Sequence, residues 1–239
     1  MSKETGIQWT DHTWNPWQGC FKVSPGCAKC YMYRDKLRYG QKPDVVVRSA
    51  KATFTAPLKW NEPARVFTCS WSDFFIEEAD PWRNEAWDII RRTPHLTYQI
   101  LTKRPERIVG HLPIDWPLDG YENVYLGISA ESQPFYERRW SYLREVPLTW
   151  QRTFLSAEPL LGPIDLGNFP VPGWVIGGGE TGKPDDVRFT DNQWLRSLRD
   201  QCKRMEVPFF LKQITSGGRQ IPFDRWPEDL RVREFPNGM

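Results

Sequence analysis

Beyond Arg65 the chain alternates between two hydrophobic periods. Near-continuous apolar, β-branched runs cover residues 66–70, 98–102, 124–129, 153–156, 174–177 and 208–212. Such runs predict strands covered on both faces, as in a parallel sheet. Between them the apolar positions fall at helical spacing. Asp80 and Pro81 read as an N-cap and a first helical residue, followed by Trp82, Ala86, Ile89 and Ile90 on one face. Residues 135–146 and 192–205 repeat the pattern, the latter with Trp194, Leu195, Leu198 and Cys202 together. A weaker strand over residues 7–10 completes the alternation. Right-handed crossovers then predict an α/β fold, a partial (β/α)6-type, TIM-like barrel with parallel strands. The proline-bearing segments 112–120 and 161–173 read as decorations of one barrel domain spanning 1–239. The aromatic and proline-bearing stretch from about 217 reads as a C-terminal extension packed over it.

Composition leaves room for such a core, with 39% hydrophobic and 26% charged residues in a chain of 239. Residues 1–4 lack the apolar segment of a leader, and no apolar run approaches the roughly 18 residues of a membrane span. A cytoplasmic protein with no membrane attachment is expected. Thirty-two basic against thirty acidic residues give a charge of +2, which neither demands nor excludes a polyanionic partner. Of thirteen tryptophans, Trp14, Trp17, Trp60, Trp71 and Trp116 fall in predicted loops. An indole there either stacks on a nucleobase or closes a core, and closing a core is the commoner use.

Five cysteines are too few for a disulfide scaffold. Cys69 and Cys202 stand alone, on a predicted strand and a predicted helix, and are expected to be buried. Cys20, Cys27 and Cys30 cluster instead, just after the first strand. Cys27-Ala28-Lys29-Cys30 sets two thiols three residues apart at the start of a helix running toward Arg38. The helix N-terminus, Lys22, Lys29 and Arg34 favour the thiolate form. Three thiolates suit an iron-sulfur cluster with one iron left open. A structural zinc site needs a fourth ligand, for which His12 is the nearby imidazole. Both readings stay open on the residues alone.

Each predicted strand ends in groups able to bind or react. Ser72 and Asp73 follow the second, Lys103 and Arg104 the third, Ser129 and Glu131 the fourth, and Ser156 and Glu158 the fifth. Gly178, Gly179 and Glu180 follow the sixth, and Lys212 and Gln213 close the last. In an α/β barrel these positions converge on the C-terminal rim. Ser and Asp also cap helices, which is the plainer account of Asp73. Glycines at 177–179 permit positive φ, so their N–H groups can line an anion site while Glu180 accepts from a ligand amine or hydroxyl. A plain turn explains them equally well, and the run is neither a P-loop nor a dinucleotide fingerprint. Lys103 and Arg104, just before Pro105, suit a phosphate or carboxylate, or form a solvated basic pair. A zinc hydrolase using Glu158 or Glu180 as base lacks the histidines such a site needs.

The three clustered cysteines after a first strand resemble those of the radical S-adenosylmethionine superfamily. Gly19-Cys20 and Cys27-Ala28-Lys29-Cys30-Tyr31 look like the cluster loop of its spore photoproduct lyase branch. More closely, the chain is similar to a phage-associated family of uncharacterised three-cysteine-motif proteins. The shared pieces are Trp-Asn-Pro-x-x-Gly-Cys at 14–20, Leu-Thr-Lys-Arg-Pro at 101–105, Ser-Ala-Glu-Pro-Leu at 156–160, Gly-Gly-Glu at 178–180 and Phe-Leu-Lys-Gln at 210–213. Two departures from the superfamily stand out. Six residues separate Cys20 from Cys27 where three are usual, and Gly-Gly-Glu follows the sixth strand rather than the second.

The resemblance implies that Cys20, Cys27 and Cys30 hold a 4Fe-4S cluster whose open iron binds S-adenosyl-L-methionine. One electron, from a donor such as a flavodoxin or ferredoxin, would cleave that cofactor to methionine and a 5′-deoxyadenosyl radical. Ser72, Asp73, Ser129, Glu131, Ser156, Glu158, Gly178, Gly179 and Glu180 are then the expected cofactor contacts. Lys103, Arg104, Lys212 and Gln213 are the expected substrate contacts, and Tyr31, Glu158 and Glu180 the candidates for a direct part in the chemistry. A nucleobase, nucleotide or nucleic acid is the expected substrate, by analogy of fold and phage association. The rival expectation is a zinc-stabilised barrel that binds nucleic acid without catalysis.

Overall fold

A computed structural model of the chain describes residues 5–183, 186–217 and 219–239. Seven parallel strands form one curled sheet, a half-barrel, in the order of the chain. They are β1 (His12–Trp14), β2 (Ala64–Thr68), β3 (Leu96–Thr102), β4 (Val124–Ser129), β5 (Thr153–Ala157), β6 (Val175–Gly178) and β7 (Phe209–Gln213). Among the described residues five α-helices accompany them: α1 (Tyr31–Arg38), α2 (Lys51–Phe54), α3 (Asp80–Arg92), α4 (Gln133–Leu143) and α5 (Asn192–Arg204). The crossovers β3 to β4 and β5 to β6 carry no α-helix, as the prolines of 112–120 and 161–173 suggest.

Strand alternation divides the core in two. On the helix-covered face, Val66, Tyr98, Ile100, Leu126, Leu155, Val175 and Phe209 pack against α3, α4 and α5. Their in-between neighbours Phe67, Tyr125, Phe154, Ile176 and Phe210 form a second, aromatic cluster on the concave face with Trp9 and Trp174. The ring of Phe154 fills the space a side chain at 127 would need, since a Cβ on Gly127 would lie 2.5 Å from it. That layer plugs the lower half of the half-barrel.

The first strand lies later than the pattern predicts. Residues 7–10 form a turn, with Thr10 N–H donating to the Ile7 carbonyl, and Trp9 packs inside against Phe67 (centroids 4.6 Å apart) and Trp174 (6.2 Å). The apolar signal there came from plugging the interior, and the ladder with β2 begins at His12 opposite Val66. Asp80 also departs from its reading. It is the first residue of α3, and its carboxylate pairs with Arg83 and Arg107 instead of capping. Beyond residue 219 the tail runs back along β7, with Phe210 bridging Arg233 and Phe235 against Trp174 and Phe210. This covers the end of the half-barrel opposite the cysteines. No helix among the described residues is long and apolar enough to cross a membrane.

Candidate functional site

The inward positions change character toward the C-terminal ends of the strands. Above the aromatic layer, the alternation that directs Phe67, Tyr125, Phe154 and Phe210 inward brings Lys103, Ser129, Ser156, Glu158 and Lys212 to the same concave face. They line one wall of a cavity of 520 Å³, with Trp9, Phe67 and Leu101 at its floor. Cys20, Cys27, Cys30 and Tyr31 line it from the β1–β2 excursion. Ser129 accepts a hydrogen bond from Lys103 Nζ at 2.7 Å, and Ser156 donates to Glu158 Oε2 at 3.2 Å. Lys212 Nζ forms an ion pair with Glu158 Oε1 at 2.9 Å. Glu158 Oε1 is thus buried against the Lys212 ammonium, with no hydrogen-bond partner beside that ion pair among the described residues.

The segment carrying the thiols has little regular structure, so long-range bonds fix it. Gly19 has φ +97°, and a Cβ there would meet the Val45 carbonyl oxygen at 2.2 Å, so glycine is required just before Cys20. Asn15 of the Trp-Asn-Pro motif accepts from Trp71 N–H at 2.8 Å, and Trp17 donates to the Asp73 carbonyl at 3.1 Å. Ser72 donates to the Gly19 carbonyl at 2.6 Å. Arg104 pairs with Asp73 at 3.1 Å, donates to the Phe21 carbonyl at 3.0 Å, and reaches Cys20 Sγ at 3.7 Å. Asp73 also accepts from Thr102 Oγ1 and Lys103 N–H, so its oxygens are committed to the protein. Tyr31 donates to the Ser70 carbonyl while its ring remains 43% exposed at the cavity.

Two carboxylates expected among the cofactor contacts do a different job. Glu131 lies outside the cavity lining, 1% exposed, accepting from Gly26 N–H at 3.0 Å and Arg139 at 2.9 Å. Glu180 pairs with Arg188, which in turn donates to the Pro25 carbonyl at 2.6 Å. Both carboxyls are held below the usual value. Burial opposes this in each, but hydrogen bonds from Ser24 and Gly26 to Glu131, and from Arg188 to Glu180, outweigh it. The glycines of 177–179 do not adopt positive φ. They make room: a Cβ would lie 2.9 Å from Glu158 Oε1 at Gly178 and 2.4 Å from Thr215 Oγ1 at Gly179. Gln213 bonds back to the Gly179 carbonyl and stands apart from the cavity. Of the residues expected at the site, the cavity therefore gathers the three cysteines, Tyr31, Ser72, Asp73, Lys103, Arg104, Ser129, Ser156, Glu158 and Lys212. Arg139, which holds Glu131 against the thiol loop, and Arg188, which bonds that loop directly and is held by Glu180, went unmarked in the sequence because neither lies in a motif.

The thiols differ in protonation. Burial, with Asp73 nearby, pushes Cys20 up to about 12. Burial also opposes the Cys27 thiolate, but Lys103 and hydrogen bonds from Val23 and Ser24 outweigh it and hold that thiol below its ordinary value. Cys69, buried as expected, shares the cavity in a left-handed conformation (φ 64°), and burial keeps its proton on well above the ordinary value. One tetrahedral ion needs its sulfurs about 3.8 Å apart, from metal–sulfur bonds of about 2.3 Å. Among the described residues no three His, Cys, Asp or Glu side chains are grouped closely enough to hold a single ion. His12 packs on Trp60, ring centroids 4.8 Å apart, and is not among the lining residues of the thiol cavity. Cluster thiolates each bind a different iron and so stand farther apart than ligands of one ion. Cys20, Cys27 and Cys30 line one cavity together with Lys103 and Lys212.

No curated protein and no solved structure matches the chain. The family described as Protein of unknown function (DUF5131) matches residues 4–223, and since that is nearly the whole chain, the protein belongs to it.

Proposed function

We propose that the protein is an iron-sulfur enzyme of the radical S-adenosylmethionine kind, with the 520 Å³ cavity as its reaction chamber. One observation carries the reading: Cys20, Cys27 and Cys30 line a single cavity at the C-terminal rim of a parallel half-barrel. These three residues would hold a 4Fe-4S cluster. When bound, that group supplies an open iron and one electron for reductive cleavage of a sulfonium cofactor. The chain's own residues do the remaining work. Lys103 favours the Cys27 thiolate, which eases metal loading. Arg104, Glu131 and Arg188 hold the thiol loop against the rim. Ser129, Ser156 and the Glu158–Lys212 ion pair line the cavity and offer polar contacts to the cofactor's ribose or to the substrate. The aromatic floor of Trp9 and Phe67 closes the lower half of the half-barrel, which keeps water from a reactive intermediate.

The test is anaerobic incubation of reconstituted protein with dithionite and S-adenosylmethionine, followed by chromatography for 5′-deoxyadenosine. Product is expected from the native chain and not from Cys27→Ala. Equal product from both, or none from protein that has taken up iron and sulfide, would refute the reading.

A further inference from the structure

The segment that carries the thiols is also the most unusual surface of the molecule. Between Gly19 and Arg48 seven Lys and Arg stand against Asp35 and Asp44, a local balance of +5 in a chain whose total is +2. Lys29, Arg34 and Arg48 are neutralised by Asp186, Asp35 and Glu85, and Lys36 is buried. Lys22, Arg38 and Lys42 have no ion-pair partner among the described residues, Lys22 donating instead to the Ala28 carbonyl at 3.0 Å beside the Tyr33 ring. The same stretch holds seven of the fifteen exposed large apolar side chains of the described residues, including Phe21 (41% exposed), Tyr31 (43%) and Tyr39 (69%). Phe21 and Tyr31 line the thiol cavity, and Tyr39 ends the α1 helix that starts at Tyr31. Eight helical residues separate these tyrosines by about 12 Å.

We propose that this lobe binds a single-stranded nucleic acid, with bases stacked on Phe21 and Tyr39, phosphates on Lys22, Arg38 and Lys42, and one nucleotide turned into the thiol cavity. Aromatic rings interleaved with cations suit a strand whose bases are free to stack. Lysine is depleted in protein–protein interfaces, so a lysine-bearing patch favours a polyanion over an acidic protein. A base modified inside an enclosed site must leave its stack, and single strands do so at the least cost. The cavity volume is that of a small-ligand pocket, and Lys103, Ser129, Ser156 and Lys212 line it with hydroxyl and ammonium groups able to bond the edge of a base. The substrate role rests on the reading of the preceding subsection, whereas the binding itself requires no metal.

The test is fluorescence anisotropy with labelled DNA and RNA strands of about twelve nucleotides, and with a duplex of equal length. The native apoprotein, Cys27→Ala, Phe21→Ala, Tyr39→Ala and the double variant Lys22→Glu/Lys42→Glu are compared, with Phe223→Ala as a remote exposed control. Single strands should bind more tightly than duplex, with a log–log salt slope of about −2 between about 50 and 200 mM, from three phosphate contacts at about 0.7 each. Phe21→Ala and Tyr39→Ala should each weaken binding about 5- to 150-fold, the equivalent of about 1–3 kcal/mol per stacked base. The charge-reversed variant should lose most of the salt dependence. A gap between the DNA and RNA strands would show that the 2′-hydroxyl is read, and equal affinity that the shared chemistry of base and phosphate suffices; either supports the lobe as a single-strand site. No binding at about 50 mM salt, duplex bound as tightly as single strands, or lobe variants indistinguishable from Phe223→Ala would each overturn the proposal. Iron content of the same proteins after anaerobic reconstitution separates its failure from that of the enzyme reading. Binding without iron uptake leaves the lobe standing and sinks the cluster, and iron without binding does the reverse.

Discussion

Replacing Glu131 by alanine should loosen the thiol loop more than any change within the loop's own surface. The carboxylate is 1% exposed and answers the Gly26 N–H at 3.0 Å and the Arg139 guanidinium at 2.9 Å, with the Ser24 hydroxyl beside them. Arg139 is itself 4% exposed and keeps only its bond to the Ser129 carbonyl once the carboxylate is gone. Breaking a buried pair by removing one partner costs about 3–5 kcal/mol, because the surviving charge stays buried. With a urea slope near 3 kcal/mol/M, that loss lowers the unfolding midpoint by about 1–1.7 M. Glu131→Gln keeps an acceptor for Gly26 but not the charge, so its midpoint should fall between those of Glu131→Ala and the native chain. The sign with pH follows from the depressed carboxyl. Ionised Glu131 stabilises the fold above about pH 4.5, its unfolded value, and that contribution is lost as pH falls through the lower folded value. The gap between native protein and Glu131→Gln should therefore narrow in acid. Hydrogen exchange on Glu131→Ala should speed most around Gly26 and Cys27. A midpoint shift below about 0.3 M, or exchange unchanged in that loop, would refute the argument that Glu131 is a brace rather than a ligand-binding group.

The thiols of metal-free protein should alkylate in a fixed order near neutral pH. Peptide mass spectrometry after brief iodoacetamide treatment should find Cys27 labelled well before Cys20, because one is held below and the other above the ordinary thiol value. Labelling in the opposite order would contradict the assigned electrostatics. Gly178→Ala puts a Cβ 2.9 Å from Glu158 Oε1, and overpacking of that kind costs about 1–3 kcal/mol. Calorimetry should show a fall of about 2–10 °C in Tm, and an unchanged Tm would mean that Glu158 moves aside freely. Arg188→Ala removes the bridge between Glu180 and Pro25. It should slow iron loading while leaving the far-UV spectrum unchanged.

The sheet was legible because six of its strands are buried on both faces and therefore read as continuous apolar runs. The exception, residues 7–10, carries a weaker apolar signal for another reason, since Trp9 fills the concave interior and makes no ladder. The lack of an α-helix between β5 and β6 was also legible in the breaks of 161–173, and the short helix that Pro105 opens is a 3-10 turn over Pro105–Arg107. At the site, the Cys-x2-Cys turn, the helix toward Arg38 and the convergence of Lys103, Ser129, Ser156, Glu158 and Lys212 followed from local spacing and strand parity. What escaped was long-range. Glu131 meets Gly26 across 105 positions, and Arg188 meets Pro25 across 163. No local period encodes such pairs, so a strand-end glutamate that braces a loop looks the same in sequence as one that binds a ligand. The glycines of 177–179 misled in a related way, because their value lies in space left for Glu158 and Thr215 and not in backbone freedom.

Iron and acid-labile sulfide, counted after anaerobic reconstitution of the native chain and of Cys27→Ala, test the central claim most directly. The account predicts about four of each per native chain, a brown protein, and little of either in the variant. A colourless protein holding one zinc ion, with Cys27→Ala retaining it through another side chain, would contradict the account.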